Sequence, residues 1–437
     1  MSGLLSVEEA LEAVLASVDA LPPTAVATGP EALGLVLAEP VVAATDLPPW
    51  DNSAMDGYAV RSGDVSAAGE SSPVRLRVLG DVAAGAASAT AVEPGSAVRI
   101  ATGAPVPPGA DAVVAVESTT PLDALGREGP RGRDASGPPP PACLVHEAVR
   151  TGTNIRARGS DLLAGDLLLE PGRRLSAAAI ALAAGAGVAE VRAYPAPRVA
   201  VLATGDEVRR PGEPLGAAGI PDANGPGLAS LVAAAGSIPV GLGIAPDRLD
   251  AVEAAIRRGL ADSDAVIVSG GVSVGPYDVV KLAFEAVGRV SLWRVALQPG
   301  KPFAFGLGTA SDGRRVPLFG LPGNPVSGFV VFELFVRPAL RRLAGHPDTA
   351  EPLDRGVLLE ATSKSRGRRA YLRVVAERDA DGRWVRDKDG RVRVRLAGGQ
   401  GSHVLSALAA AEALAIVPEP LGEVEAGTPV DLHWLDR

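Results

Sequence analysis

An alternation of apolar runs and helical patterns between residues 197 and 343 constrains the fold of this chain more than any other sequence feature. Short apolar runs, for example 198–203 and 265–268, have the length of buried strands. Between such runs lie segments like 249–260, in which apolar residues recur at the spacing of one helix face. This alternation predicts a mostly parallel sheet that is covered by helices on both faces.

The regions on either side of this α/β segment differ from it in composition. Short β-rich runs separated by Gly and Pro predict two small β domains, and a helical or extended region precedes them. The predicted fold class is therefore a multidomain α/β protein. The expected domains are a first N-terminal part at 1–45, a small β domain at 46–145, the second N-terminal part at 146–185, the α/β domain at 186–345 and a C-terminal β domain at 346–437.

The N-terminal region carries a clear helix-start signal. The segment Ser6-Val7-Glu8-Glu9 fits a capping box, in which the Ser side chain and the Glu three residues later satisfy backbone N–H groups. Apolar residues follow at helical spacing, so a first helix is expected there. A second helix is expected at 30–38, before Pro40.

Composition excludes several classes of protein. The net charge of −9 argues against a general nucleic-acid surface, and no uninterrupted apolar run is long enough to span a membrane. Cys143 is the only cysteine, which excludes an internal disulfide and a Cys-rich metal site. The four histidines match no metal-ligand spacing, and the first residues do not resemble a signal peptide. A cytoplasmic protein with no nucleic-acid or membrane partner is expected.

Five loops of the α/β region share one composition, since each combines Gly or Pro with a polar or charged residue. In an open parallel sheet, ligands bind beyond the carboxyl ends of the strands. If these strands are parallel, the loops that follow them meet at one edge. The five loops are 204–207, 245–247, 270–275, 298–302 and 321–325.

The residue types in these loops indicate an anion site with a nearby cation. Gly270, Gly271 and Gly275 allow a ligand to approach the backbone, and the loop leads into a helix whose N–H groups favour a phosphate. Carboxylates near a phosphate usually need a divalent cation, and oxygen ligands favour Mg²⁺. The carboxylates are Glu207, Asp222, Asp247 and Asp278, and the positive charges are Lys281 and Lys301.

Simpler interpretations of the same residues are also open. The Gly-rich loop can be a tight strand–helix turn without a ligand, and Asp206 and Asp247 can each cap a helix. The Arg-rich strands at 366–395 are typical of a solvated face. Only four lysines occur among 42 basic residues, and two of them, Lys364 and Lys388, are expected at the surface. A P-loop, a dinucleotide-binding Gly motif and a serine-hydrolase elbow are absent from the sequence.

Seven motifs taken together resemble one known family. In chain order they are DNSAMDGYAV, ATGAPVPPGAD, TGDE, SGGVSVG, QPGKP, GLPGNPVS and QGSH. This set resembles molybdopterin molybdenumtransferase, the MoeA family, which is related to the gephyrin E domain. The resemblance runs from the first helix to near the C-terminus.

The resemblance implies the last step of molybdenum cofactor synthesis. In that reaction adenylylated molybdopterin and molybdate are the substrates, Mg²⁺ is the cofactor, and AMP is released as molybdate enters the dithiolene. It also implies a homodimer with a cleft shared between subunits and a third domain like MogA. Transient contacts with the adenylyltransferase and with cofactor-receiving enzymes are further expectations.

The resemblance assigns roles to particular residues. Those implied in catalysis are Asp56, Thr102, Glu207, Asp247 and Asp278. Those implied as metal ligands are Glu207, Asp222, Asp247 and Asp278. Those implied in binding the pterin phosphate or molybdate are Gly270, Gly271, Ser273, Gly275, Lys281, Lys301, Ser327, Arg373 and Ser402.

Two positions depart from the family pattern, in which members often carry Lys. Arg294 keeps the positive charge, whereas Gln298 does not, so a weaker local attraction for an anion is expected there.

Two other functions remain as alternatives. One is a non-catalytic scaffold like gephyrin, and the other is a molybdopterin adenylyltransferase acting one step earlier.

Overall fold

The computed structural model describes residues 4–86, 89–132, 137–271 and 279–435 of the chain. Within these ranges, none of the helices combines the length and the apolar character that crossing a bilayer requires. The chain starts with short elements. They are helix α1 (Val7–Leu15) and strands β1 (Thr24–Ala27), β2 (Val36–Leu37), β3 (Val41–Val42) and β4 (Asn52–Ser53).

The capping box at the start of α1 is confirmed, because the Ser6 hydroxyl accepts from the Glu9 N–H and the Glu9 carboxylate accepts from the Ser6 N–H. The predicted helix at 30–38 is wrong. Only a 3₁₀ turn, Pro30–Ala32, forms there, and the chain continues into β2. Gly34 lies at φ +81°, a left-handed conformation in which a right-handed helix cannot continue.

A six-stranded sheet follows, in the order β8-β5-β7-β6-β10-β9. Apolar residues on both of its faces are buried, and Cys143 is fully enclosed in one of these two clusters. The strands are β5 (Gly57–Val60), β6 (Val74–Val82), β7 (Ser96–Ile100), β8 (Ala112–Ala115), β9 (Thr119–Leu122) and β10 (Ala142–Val145).

The chain then returns to the short strands near its beginning. β11 pairs with β4 and β12 with β3, and β13 lies between β1 and β2 in an antiparallel sheet. Ser176 caps the helix of this segment as its composition predicts. The elements are β11 (Ile155–Arg156), β12 (Leu167–Leu169), α2 (Ala177–Gly185) and β13 (Glu190–Tyr194).

The α/β region contains a six-stranded sheet in the order β17-β14-β18-β22-β21-β19. The first four strands of this order are mutually parallel, and β21 is antiparallel to both of its neighbours. Its strands are β14 (Arg198–Thr204), β17 (Ile238–Ala245), β18 (Ala265–Ser269), β19 (Gly288–Arg294), β21 (Pro302–Thr309) and β22 (Arg315–Leu321), with β15 (Val208–Arg209), β16 (Ile220–Pro221) and β20 (Leu297–Gln298) outside it.

Strand β21 has no clear sequence signal, and the apolar run at 291–297 is divided between β19 and β20. Pro302 begins β21, and Gly306 and Gly308 interrupt its apolar pattern, so the strand signal is weak. After Arg294 the chain leaves the sheet, and β20 pairs instead with a strand of the C-terminal region.

Helices cover both faces of the α/β sheet, as predicted, and two large apolar clusters fill the space between. A π-helical segment, Phe332–Val336, joins α6 and α7 into one continuous helical stretch that we call the long helix. The helices are α3 (Asn224–Ala234), α4 (Leu249–Asp262), α5 (Val279–Val287), α6 (Pro325–Val331) and α7 (Arg337–Leu343).

The C-terminal region closes into a small barrel, because β25 pairs with both β26 and β27 while β23 and β29 complete the ring. Strand β20 adds to its outside. The elements are β23 (Asp354–Leu358), β24 (Thr362–Ser363), β25 (Arg369–Ala376), β26 (Val392–Leu396), α8 (Leu405–Ala409), β27 (Ala413–Val417), β28 (Glu423–Val424) and β29 (Pro429–Trp434).

The expected surface position is correct for Lys388 and wrong for Lys364. Lys364 is buried, and its ammonium donates to the carbonyl oxygens of Arg368 at 2.6 Å and Glu419 at 3.3 Å. Burial lowers the pKa of Lys364, although the charge of Glu419 opposes the shift. Sequence alone gives no signal for this, because the two carbonyls come together only when the turns at 365–368 and 419 meet.

A buried ionic group connects the long helix to the C-terminal barrel. Glu333 accepts two hydrogen bonds from Arg337, at 2.7 and 2.8 Å, and a third contact of 3.3 Å joins it to Nε2 of His433 on β29. Burial by itself would raise the pKa of Glu333, but the bonds and charges of His433 and Arg337 outweigh it and lower the pKa.

Glu333→Ala should lower the free energy of unfolding by about 3 kcal/mol, because Arg337 would lose the carboxylate that compensates its burial. Denaturation in urea measures the change. Glu253→Ala is the matched control, since Glu253 also pairs with an Arg four residues later, but at the surface. It should cost about 0.5 kcal/mol or less. Equal losses in the two variants would contradict a structural role for the buried group.

Candidate active site

Parallel pairing in the α/β sheet brings the five Gly- and Pro-containing loops to one edge. The loops at 204–207, 245–247 and 270–271 follow β14, β17 and β18, and the loop at 322–325 follows β22. The segment at 299–301 precedes the antiparallel β21, so it lies at the same edge. The topological basis of the predicted convergence is therefore present in the fold.

A cavity of about 220 Å³ lies at this edge, and we call it the sheet-edge cavity. Residues from four of the five loops line it, so it is formed by several turns of the chain and not by one motif. Its lining residues are Thr204, Gly205, Glu207, Val208, Ile220, Pro221, Asp222, Ala223, Asn224, Asp247, Gly270, Gly271, Gly323 and Pro325.

Gly270 and Gly271 are required by local geometry. Both have positive φ, +103° and +61°. A Cβ atom at Gly270 would lie 2.6 Å from the Thr204 carbonyl oxygen, and one at Gly271 would lie 2.7 Å from the Val280 side chain. The backbone here passes close to β14 and α5, and no side chain stands between it and the sheet-edge cavity.

Asp206, Glu207 and Asp247 form an acidic cluster at this edge, and the last two line the cavity. Asp206 Oδ1 accepts from the Asp247 N–H at 3.2 Å, which ties two loops together. Partial burial raises the pKa of Asp247, and the negative charges of Asp206 and Glu207 raise it further. The three carboxylates therefore repel one another in the absence of a cation.

The helix-capping interpretations of Asp206 and Asp247 are wrong. Asp206 is followed by the short strand β15 and not by a helix. The residue that caps α4 is Arg248, and no side chain makes a capping bond there. Neither carboxylate is needed to complete a helix end, so both remain available for another role.

Asp222 and Asn224 link the start of α3 to the neighbouring loop. Asp222 Oδ1 accepts from the Gly225 N–H at 2.8 Å. Asn224 Nδ2 donates to the Gly323 carbonyl at 2.8 Å. Asp222 thus lines the cavity and also fixes local backbone, so one of its oxygens is already engaged.

A second polar group lies where the long helix approaches the C-terminal barrel. Asn324 Nδ2 donates to the Ser402 hydroxyl at 3.0 Å. Arg373 is buried, and one of its nitrogens donates to the carbonyls of Gly399 at 2.9 Å and Gly401 at 3.1 Å. Burial lowers the pKa of Arg373. Its Nε is also buried and has no hydrogen-bond partner in the described part of the chain.

Three family models together match most of the chain. The MoeA N-terminal region, domain I and II, matches residues 5–187. A probable molybdopterin binding domain matches 200–342, and the MoeA C-terminal region, domain IV, matches 355–435. Molybdopterin molybdenumtransferase 2 of Mycobacterium tuberculosis is 38% identical over 408 residues, which cover 92% of this chain and 93% of the relative.

This chain belongs to the MoeA family. The molybdopterin molybdenumtransferase of Haemophilus influenzae is 33% identical over 404 residues, covering 92% of both chains. A crystal structure of a molybdopterin biosynthesis MoeA protein from Pyrococcus horikoshii is 29% identical, covers 100% of both chains and has a TM-score of 0.74. The predicted family, the mixed α/β multidomain fold and the assignment to a transferase of molybdenum cofactor biosynthesis are confirmed.

The residues to which the MoeA resemblance assigns roles lie in distinct groups in the structure. Glu207, Asp222, Asp247, Gly270 and Gly271 line the sheet-edge cavity. Ser273, Gly275 and Asp278 lie outside the described residues. Ser327 is buried at the start of the long helix. A Cβ atom added to Gly300 would lie 3.5 Å from the Ser327 carbonyl oxygen. The loop that carries the half-buried Lys301 therefore passes beside Ser327.

Asp56 and Thr102 form a separate pair on the small β domain. Asp56 Oδ1 accepts from the Thr102 N–H at 2.7 Å and from its hydroxyl at 2.9 Å. These two bonds lower the pKa of Asp56, so it is a carboxylate at neutral pH. Neither residue lines the sheet-edge cavity within one copy of the chain.

Two further positions have different surroundings from those expected. The Lys281 ammonium lies on the solvent-facing side of α5, 3.8 Å from Glu285, and does not line the cavity. Gln298 stands where MoeA members often carry Lys, and its Oε1 accepts from the Ser365 N–H at 2.9 Å. The amide therefore joins β20 to the C-terminal barrel.

Sequence reasoning missed Asn224 and Asn324 as site residues. Asn324 belongs to the last of the five loops and Asn224 begins α3, and each donates a side-chain hydrogen bond to another segment. Their signal is an Asn beside Gly and Pro residues, which is typical of a turn. Only the fold shows which distant turn each amide contacts.

Asp247→Asn should stabilise the folded protein by a few tenths to about 1 kcal/mol at pH 7 without divalent cations, because it removes one of three repelling charges from a partly screened site. The pKa of Asp247 is higher in the folded than in the unfolded chain, so the ionised carboxylate destabilises the fold when the pH is above the folded-state pKa. This loss of stability disappears as the pH falls through the folded-state pKa and Asp247 becomes protonated. Urea denaturation at pH 7 and at pH 3 measures the difference.

Asp250→Asn is the control, since Asp250 lies on the helix that follows Asp247 and pairs with Arg248 at the surface. This variant should be neutral or slightly less stable than the wild type. If Asp247→Asn loses stability at pH 7 as well, the carboxylates do not repel one another as the structure indicates.

Proposed function

We propose that this chain inserts molybdate into the dithiolene of adenylylated molybdopterin, with Mg²⁺-dependent release of AMP. The observation that carries the proposal is the composition of the sheet-edge cavity. The backbone of Gly270 and Gly271 lines one part of it, and carboxylates that repel one another line another part. A phosphoanhydride substrate brings further negative charge to such a site, so the site suits a reaction that requires a divalent cation.

The acidic residues fit Mg²⁺ by their chemistry. Glu207 and Asp247 would hold it, and Asp222, with one oxygen free of the Gly225 bond, would be the third candidate. Groups of three His, Cys, Asp or Glu side chains close enough to hold a metal by themselves do not occur among the described residues. Mg²⁺ commonly uses one or two carboxylates together with substrate phosphates. When bound, it neutralises charge on the phosphoanhydride.

Different residues of the chain are proposed to bind the two substrates. Gly270 and Gly271 present backbone to the pterin phosphate. Lys301, Ser327, Arg373 and Ser402 are proposed to hold molybdate, since a small dianion needs a cation and several fixed donors. The unpartnered Nε of Arg373 supports this role, because a buried N–H without an acceptor is costly.

The reaction is proposed to proceed without a covalent enzyme intermediate. A water or molybdate oxygen attacks a phosphorus of the anhydride, the bridging P–O bond breaks, and AMP leaves with the electron pair. If water attacks, its proton passes to a carboxylate of the cavity that does not hold Mg²⁺.

The two alternative functions have less support. A scaffold would not need three carboxylates held at a cost to stability. An adenylyltransferase would not need the β domain and C-terminal barrel that flank the α/β region.

We also propose a cytoplasmic location and transient contacts with the adenylyltransferase and with cofactor-receiving enzymes.

Incubation of the purified protein with adenylylated molybdopterin, Mg²⁺ and molybdate should release AMP in a molybdate-dependent manner, measured by chromatography. Lys301→Ala should raise the molybdate concentration for half-maximal release at least about tenfold, because one charge-assisted contact is lost. Lys388→Ala, at an exposed position, is the control. The proposed function fails if wild-type AMP release does not respond to molybdate, and only the role of Lys301 fails if the variant responds normally.

A homodimer with a shared cleft is proposed because Asp56 and Thr102 lie away from the cavity of their own chain. Asp56→Asn and Glu207→Gln should each be inactive alone. Equal mixtures refolded or co-expressed should regain about one quarter of wild-type activity, since half of the dimers then carry one intact site. A mixture that stays inactive while forming heterodimers would place both residues in one subunit's site or exclude a shared cleft.

A further inference from the structure

A second polar cavity, of about 150 Å³, lies at the opposite edge of the α/β sheet, and we call it the rear cavity. Pro195 and Ala196 line it just before β14 begins, and Gly236 lines it just before β17. Because these strands are parallel, their beginnings lie across the sheet from the loops of the sheet-edge cavity. The rear cavity is thus distinct from the candidate active site.

Three arginines from two parts of the fold line the rear cavity. Arg174 comes from the N-terminal region, and Arg337 and Arg341 come from the long helix. The only carboxylate among the lining residues is Glu351. Arg337 is engaged with Glu333, so Arg174 and Arg341 supply the positive charge that is left for a ligand.

The contacts of these two arginines leave most of their donors unused. Within the described ranges, Arg174 makes a single hydrogen bond, from Nε to the Gly34 carbonyl at 3.3 Å, and no ion pair. Arg341 donates to the Asp348 carbonyl at 3.1 Å and reaches Glu351 only at 3.5 Å. Each guanidinium has five N–H donors, so both can bind an anion without breaking a strong contact.

His346 completes the polar lining. Burial, together with the positive charges of Arg341 and Arg174, lowers its pKa to about 4. The imidazole is therefore neutral at physiological pH and can donate one hydrogen bond. All three side chains line the same cavity from different parts of the chain.

The size of the rear cavity restricts its ligand. Pockets that enclose drug-sized molecules occupy roughly 300–1,000 Å³. The rear cavity, at about 150 Å³, is smaller even than the sheet-edge cavity of about 220 Å³, so it can enclose only a small ligand or one end of a larger one. At ~30 Å³ per water molecule, the volume holds about five waters, which is enough for one tetrahedral oxyanion with part of its hydration shell.

We propose that the rear cavity binds one small tetrahedral oxyanion of the phosphate or sulfate type, which bridges Arg174 of the N-terminal region and Arg341 of the long helix. Binding at this junction connects the N-terminal region to the end of the long helix. Tyr194 already packs against Gly345 there, and Pro347 packs against Gly172. The anion therefore stabilises the folded chain by an amount that grows with the logarithm of its concentration above the dissociation constant.

Inorganic phosphate and sulfate, titrated separately into the full-length protein by calorimetry and followed by thermal unfolding, test the proposal. Wild type should bind one anion and unfold at a higher temperature. Arg174→Gln and Arg341→Gln should each weaken binding about tenfold or more, because one charged donor is lost. Arg342→Gln removes the same charge from an exposed neighbour on the long helix outside the cavity and should leave affinity within about twofold.

Lys301→Ala distinguishes the rear cavity from the candidate active site. Anion binding that persists in Lys301→Ala and is lost in Arg174→Gln supports the proposal. Binding lost in Lys301→Ala and kept in Arg174→Gln would place the anion at the active site and overturn it. Failure of wild type to bind either anion up to about 10 mM would also overturn it. These outcomes do not depend on AMP release, so the proposed function stands or falls separately.

Arginine-directed labelling keeps the test decisive if a variant does not fold. Phenylglyoxal is applied to wild-type protein with and without phosphate, and modified residues are located by mass spectrometry. Phosphate should protect Arg174 and Arg341 and leave Arg342 reactive. Equal labelling of Arg174 with and without phosphate would contradict the proposal.

Discussion

Parallel pairing of β14, β17, β18 and β22 is the constraint on which the rest of this molecule depends. It gives the sheet two chemically different edges, because every loop after these strands emerges on one side and every loop before them on the other. The acidic sheet-edge cavity and the arginine-lined rear cavity follow from that single fact. Strand β21 runs the other way, but its first residues lie at the same edge and bring Lys301 there.

Two acidic groups illustrate opposite solutions to the placement of charge. At the sheet edge, partial burial and the nearby charges of Asp206 and Glu207 raise the pKa of Asp247, which is a local cost that a bound cation removes. In the long helix, Glu333 is instead compensated by Arg337 and His433, and its pKa is lowered. The first arrangement suits binding and chemistry, whereas the second holds the helix to the C-terminal barrel.

Sequence patterns predicted elements well where one local signal dominated and poorly where a distant partner decided the outcome. The capping box of α1 depends on residues three positions apart, and it formed as expected. The segment at 30–38 has helical composition, but Gly34 and pairing with β13 turn it into a 3₁₀ turn and a strand. Lys364 was misplaced for the same reason, since its carbonyl partners come from two separate turns.

The sequence by itself determined the family, the α/β alternation and the set of loops that carry the polar residues, because each of these is recorded in local spacing and motif order. The tertiary structure decided which polar groups meet. Asp206 bonds to the loop of Asp247, Asn324 reaches Ser402, and Arg174 faces the long helix across more than 150 residues of chain. Such contacts depend on the direction of strands and the closure of the barrel, which fix distances that no local pattern contains.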